Sequence, residues 1–153
     1  MEITILGCGN SSGNPRADGY WGQSDPKESK NYRLRSSVAF KTKAGKTWLI
    51  DASPDLRQQC LNNTIKDISG VLCTHAHFDH IGATKSLHES LKAPPCLHAG
   101  DEQLYNMLPV QGQYFGMQFE AAPPVEKFLE DEEELVFGNH RLKVLHTPGH
   151  SPG

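Results

Sequence analysis

Three histidines and one aspartate crowd into six consecutive residues, His75-Ala76-His77-Phe78-Asp79-His80, directly after the short apolar run Gly70 to Thr74. The run reads as a buried strand. A turn at its end would concentrate metal-ligand atoms at one point. Neutral imidazole suits zinc, copper, iron or nickel, and carboxylate adds a hard oxygen donor. His75 and His77 can point to one side of such a turn while Asp79 and His80 reach a neighbouring point. Two ligand sets so placed invite two ions, which in catalytic pairs stand roughly 3.5–4 Å apart.

A second motif, Leu145-His146-Thr147-Pro148-Gly149-His150-Ser151-Pro152-Gly153, also follows an apolar strand. Its proline and glycine residues predict a tight turn that presents His150. His75, His77 and His150 would then supply three nitrogen ligands, and three protein ligands with an open fourth position is the pattern of a catalytic zinc site. Water in that position acquires a pKa of about 7 and becomes a hydroxide nucleophile near neutrality. Asp51 ends the strand Thr47-Trp48-Leu49-Ile50. It either caps the turn before Ser53 or orients a metal-binding histidine through the ring N–H. His88, His98 and His140 are expected to be ordinary histidines, and His146 structural.

Strand-like alternation runs over residues 2–7, 37–42 and 46–51, the last two joined at Ala44-Gly45. Ser53-Pro54-Asp55 has the residues of a helix start, with the helix expected to reach Asn62. Further helices are expected over Ala83 to Leu91 and Gly100 to Leu108. A short strand is expected at Cys96-Leu97-His98, and a hairpin about Gly138-Asn139. Residues 8–36 and 109–125, rich in Gly, Pro and polar side chains, are expected to be loops. Strands followed by strand–helix alternation predict a sheet with helices packed outside it, in one domain spanning 1–153.

A net charge of −3 offers no basic field for nucleic acid or an anionic membrane. The 4 cysteines are scattered, without a Cys-x-x-Cys pair, and fit a reducing compartment better than a disulfide framework. No apolar run is long enough to span a membrane, and the start lacks a signal-peptide pattern, so the expected location is the cytoplasm.

The histidine–aspartate cluster and the Thr147-to-Gly153 run resemble the metallo-β-lactamase superfamily, and the resemblance covers most of the chain. It implies an α/β fold, an αββα sandwich with the site at one edge. It also implies His75, His77 and His150 as ligands of a first metal and Asp79 and His80 as ligands of a second. Asp51 takes the place of the family's acidic residue after an early strand. Leu6 to Gly13, Asn31 to Ser37 and Ile50 to Arg57 are similar to the branch that opens cyclic phosphodiesters, including phosphoribosyl cyclic phosphate and tRNA-processing enzymes. From Phe78 onward, His80-Ile81-Gly82-Ala83, Ala99-Gly100-Asp101-Glu102 and His146 to Gly153 are similar to the glyoxalase II (hydroxyacylglutathione hydrolase) branch. This change suggests a junction of two branches near residues 70–80.

The family draws a bridging aspartate and one more histidine from its second half, and neither follows within this chain. The expectation is therefore an N-terminal half to two-thirds of the sandwich, with an apolar sheet face left uncovered and available for self-association. The function implied is zinc-dependent hydrolysis of a small-molecule thioester, ester or cyclic phosphodiester by metal-bound hydroxide, with Asp79 orienting or deprotonating the nucleophile. One or two Zn2+ ions are expected, Mn2+ or Fe2+ being the alternatives. The competing reading is a metal-binding half-domain without turnover.

Overall fold

A computed structural model describes residues 1–153. Six strands make one sheet in simple sequence order: β1 (Glu2–Gly7), β2 (Ser37–Lys41), β3 (Thr47–Ile50), β4 (Val71–Leu72), β5 (Pro95–His98) and β6 (Lys127–Leu129). The first three pair antiparallel, and β3 through β6 run parallel. In the antiparallel half a short turn over residues 42–46 joins β2 to β3, while the long segment 8–36 joins β1 to β2. The parallel half needs crossovers, and those supply the helices. They are α1 (Leu56–Asn62), α2 (Phe78–Ile81), α3 (Thr84–Leu91), α4 (Glu102–Asn106) and α5 (Leu108–Tyr114).

Alternation sends Leu6, Ala39, Leu49, Val71 and Leu97 from the sheet into one core with Leu56, Phe78, Ile81, Leu87, Tyr105 and Leu108 from the helices. Residues on both sides of 70–80 share this core. The opposite face carries Phe40 and Trp48, which are paired across β2 and β3. The hairpin of β7 (Glu134–Phe137) and β8 (His140–Lys143) covers them, its Phe137 ring lying edge-on at 5.1 Å from Phe40 and 4.9 Å from Trp48. The hairpin does not reach β1, where Ile3 and Ile5 are 66% and 70% exposed. A mixed sheet with helices on one face and the start of a second β layer on the other is consistent with the expected αββα sandwich. No helix is long and apolar enough to cross a membrane.

Several elements differ from the sequence reading. Residues 109–125 are not all loop, because Leu108–Tyr114 is helical with Pro109 in its first turn, where a missing N–H costs nothing. The strand β6 was not expected. The helix α1 begins at Leu56, two residues beyond the expected Pro54 start. Its Asp55 N-cap makes no side-chain cap bond. That carboxylate instead receives the Arg35 amide at 2.8 Å and guanidinium at 2.7 Å. The same guanidinium donates to the Ser11 carbonyl at 2.8 Å, so Arg35 pins the 8–36 segment onto the start of α1.

Candidate metal centre

The strands β3, β4 and β5 run parallel, so their carboxyl ends share one edge of the sheet. Open parallel sheets bind ligands at that edge. Asp51 follows β3, the histidine cluster follows β4, and Asp101 follows β5 at the end of the 3-10 turn Ala99–Asp101. The cluster is not simply a turn, since α2 starts at Phe78 with His77 as its N-cap. Two bonds fix this corner to β3: the Ala52 amide donates to the His80 carbonyl at 2.7 Å and the Ala83 amide to the Ala52 carbonyl at 2.9 Å.

His75, His77 and His150 come together, with one ring nitrogen from each lying within 4.8 Å of the others. His77 Nδ1 stands 3.0 Å from His150 Nε2, across 73 residues of chain. His75 Nε2 is buried and has no hydrogen-bond partner. A buried polar atom left unpaired costs about 1–3 kcal/mol. Nitrogens bound tetrahedrally at about 2.0–2.1 Å from zinc stand roughly 3.4 Å apart, so small rotations would close these three rings on one ion. The residues present therefore fit a metal.

Electrostatics favour the same state. Burial, then the neighbouring His80 and His77, lowers the His75 pKa to about 4. Burial and His150 lower that of His77. Both rings are thus neutral near pH 7, the form that ligates.

Asp79 and His80 stand beside this group rather than in it. His80 Nδ1 lies 2.7 Å from Asp51 Oδ2, and its Nε2 is 3.5 Å from Asp79 Oδ2. Burial alone would lower the His80 pKa, but hydrogen bonds to Asp51 and Asp79 outweigh it and raise the value to about 9. Burial pushes the Asp79 carboxyl up, yet His80 and Ser11 hold it well below the usual carboxylate range. Asp51 also accepts the Thr74 amide at 2.8 Å and the Thr74 hydroxyl at 2.9 Å. The Asp51 side chain thus hydrogen-bonds both His80 and Thr74. The turn before α1 is closed by Ser53, whose hydroxyl accepts the Asp55 amide at 3.3 Å.

The remaining histidines do other things. His98 stacks on His146 with centroids 4.1 Å apart and accepts the Gly100 amide, while His140 meets the N-terminal amine at 3.0 Å. Two residues that support the site were not found from sequence. Gln111 accepts the Phe78 amide at 2.8 Å and donates to the Ala76 carbonyl at 2.9 Å. Asp101, fully buried, accepts the amides of Ala76 and Gly153. Gln111 lies in a stretch that reads as loop, and Gly100-Asp101 reads as a helix start and as part of the glyoxalase II resemblance, without a role for the Asp101 side chain. Beside the three histidines opens a cleft of about 500 Å³, lined by Ser11, Asp79, Phe78, Leu104, Tyr114 and Phe115 among others.

Residues 33–153 match the family described as "Metallo-beta-lactamase superfamily". A solved protein described as TTHA1623 in a di-iron-bound form is 35% identical, with a TM-score of 0.65 over 78% of this chain and 59% of its own. A diphosphatase from the PhnP family is 27% identical, with a TM-score of 0.67 over 92% of this chain and 55% of its own. The hydroxyacylglutathione hydrolase GloC of Haemophilus influenzae is 34% identical over 54% of this chain and 40% of its own length. The chain thus spans about half the length of these relatives.

Proposed function

The chain belongs to the metallo-beta-lactamase superfamily, and on that premise we propose that it serves a metal-dependent hydrolase of small thioester or ester substrates. The observation that carries this reading is the convergence of His75, His77 and His150 beside an open cleft, with a buried His75 nitrogen lacking any protein partner. A divalent metal there would acidify water and neutralise charge developing on the substrate. The three histidines would hold it, with Asp79 and His80 the candidates for a second ion. Asp79, kept ionised by its neighbours, would accept a hydrogen bond from the attacking water and orient it. His80, clasped by Asp51, fixes the Asp79 carboxylate. Phe78, Leu104 and Phe115 would exclude bulk water from the reacting bond and receive an apolar part of the substrate.

The cleft favours the carbonyl route over the phosphorus route because no lysine or arginine lines it. Arg35, at the edge of the 8–36 segment, already spends its guanidinium on Asp55 and Ser11. The likeness to a PhnP-family diphosphatase over most of this chain supports attack at phosphorus as the second reading. Zinc is the expected metal by its donor set of imidazoles; the di-iron relative makes iron the alternative to test.

Assays of the metal-loaded chain on S-lactoylglutathione and bis(p-nitrophenyl) phosphate separate the two routes. The expected outcome is thioester hydrolysis that chelation abolishes and His75→Ala removes. Metal retained without turnover of either substrate would instead establish a binding half-domain.

A further inference from the structure

We propose that Asp101 is a positioning residue of the metal centre, a single buried carboxylate that sets the spacing between the His75–His77 turn and the His150 turn. The proposal rests on the metal reading above. Asp101 is 0% exposed, and its two oxygens face in different directions. Oδ2 accepts the amide of Ala76, between the two histidines of the first turn, at 2.9 Å. Oδ1 accepts the amide of Gly153, three residues beyond His150, at 2.7 Å. No backbone hydrogen bond joins the two turns directly. Apart from the Asp101 carboxylate, the hydrogen bond that links them is the imidazole contact itself, between His77 and His150.

The packing around Asp101 shows that this contact is built into the chain. Asp101 occupies the N-cap position of α4, yet its side chain makes no cap bond there. A capping aspartate ordinarily stabilises its helix, a contribution that α4 forgoes. A Cβ on Gly153 would fall 2.9 Å from Asp101 Cγ, and one on Gly100 would fall 3.0 Å from the Pro152 carbonyl oxygen. The pairs Gly100-Asp101 and Pro152-Gly153 therefore approach closely enough that a side chain at Gly153 would push Asp101 aside and one at Gly100 would press on the Pro152 carbonyl. A carboxylate that accepts two amides makes charge-assisted bonds, stronger than neutral ones, and fixes both turns before any ion arrives. Groups that orient ligands in this way commonly govern metal affinity as strongly as a weak ligand does.

The test uses the full chain and zinc chloride, with affinity read by competition against a chromogenic chelator and amide exchange read in the metal-free protein. Asp101→Ala is expected to weaken zinc binding by about 10–100-fold and to speed exchange at Ala76 and Gly153. Asp101→Asn keeps the shape but offers one acceptor where two are needed. It is expected to lose part of the affinity and the protection of one of the two amides. Thr84→Val is the control for plain stability, since it deletes an equally buried bond to the Ile81 carbonyl, and it should lower the unfolding midpoint while leaving zinc affinity unchanged. Zinc held as tightly by both Asp101 variants as by the unmodified chain overturns the proposal. So does fast exchange of the Gly153 amide in the unmodified chain, a readout that stands even where Asp101→Ala fails to fold. An unmodified chain that takes up no metal overturns the metal reading itself, and the proposal with it.

Discussion

Replacing Asp51 by Asn should remove most of the pH dependence of stability of the metal-free chain on the alkaline side of neutrality. Asp51 sits in the left-handed region at φ 64°, which asparagine tolerates, so the backbone survives the change. What changes is His80. Its pKa rises from 6.5 to about 9 in the folded chain because, against the effect of burial, Asp51 and Asp79 hold the imidazolium. A folded value above the unfolded one gives stability that is complete below pH 6.5 and is lost as pH climbs through about 9. At 1.36 kcal/mol per unit the window has a ceiling of about 3 kcal/mol, which solvent screening of the partly exposed ring reduces to about 1–2 kcal/mol. For a chain of this size that is a fall in Tm of roughly 2–8 °C. Other groups do not blur the window. His75 and His77 have depressed values, so their contribution is present above 6.5 and is lost only as pH falls below it. Burial raises the thiols of Cys60, Cys73 and Cys96, so their contribution is lost as pH rises from the ordinary thiol value and touches only the alkaline edge of the window. Thermal unfolding in excess chelator, followed at several pH values across the window, measures the effect. A D51N curve parallel to that of the unmodified chain would refute the assignment of the charge to His80 and Asp51.

Two further outcomes follow from the packing. Gly70→Ala places a Cβ 2.4 Å from the Trp48 ring, which itself packs on Phe137, so denaturant unfolding should show a loss of about 1–3 kcal/mol with the hairpin β7–β8 loosened first; an unchanged midpoint would show that Trp48 moves freely. Arg35→Met takes the guanidinium from the Asp55 carboxylate, which keeps only the residue-35 amide, and releases the Ser11 carbonyl, so a loss of about 1–2 kcal/mol is expected together with faster proteolysis within residues 8–36; cleavage no faster than before would mean the segment is held elsewhere.

The first three strands were legible to within a residue as short β-rich runs bounded by turn residues, but their pattern did not tell the faces apart: Ile3 and Ile5 lie on an exposed side, and Phe40 packs under the β7–β8 hairpin. The strand β6 was not, since Glu126-Lys127-Phe128-Leu129-Glu130 carries too few apolar residues to signal burial. It exists through parallel pairing with β5, a partner some 30 residues earlier that no local pattern reveals. The helix α5 was hidden by Pro109 and Gly112. The structure gives each a reason: the proline sits in the first turn, and a Cβ at 112 would meet the Phe119 ring at 2.6 Å. Residues that usually break a helix were selected here by where the helix starts and by what presses against it.

The site shows a sharper division between what spacing encodes and what packing adds. Histidines two apart after a strand disclose their chemistry locally, because the strand end fixes their direction. His150 gains meaning only when a distant turn is brought to His77, and no local preference carries it there. The work is done by groups whose sequence signature is ordinary: Asp101 at what looks like a helix cap, Gln111 inside an apparent loop, and Thr74 beside the cluster. Asp101 and Gln111 satisfy buried amides or carbonyls of the turns that hold the imidazoles, and Thr74 donates its amide and hydroxyl to Asp51. A buried amide must find an acceptor whether or not a metal is present. The same requirement that holds the fold together therefore holds the three nitrogens near one another before any ion binds, and the geometry of the centre is a by-product of satisfying its backbone. The centre should accordingly be more sensitive to changes in these unremarkable acceptors than to changes in the exposed residues that line the cleft.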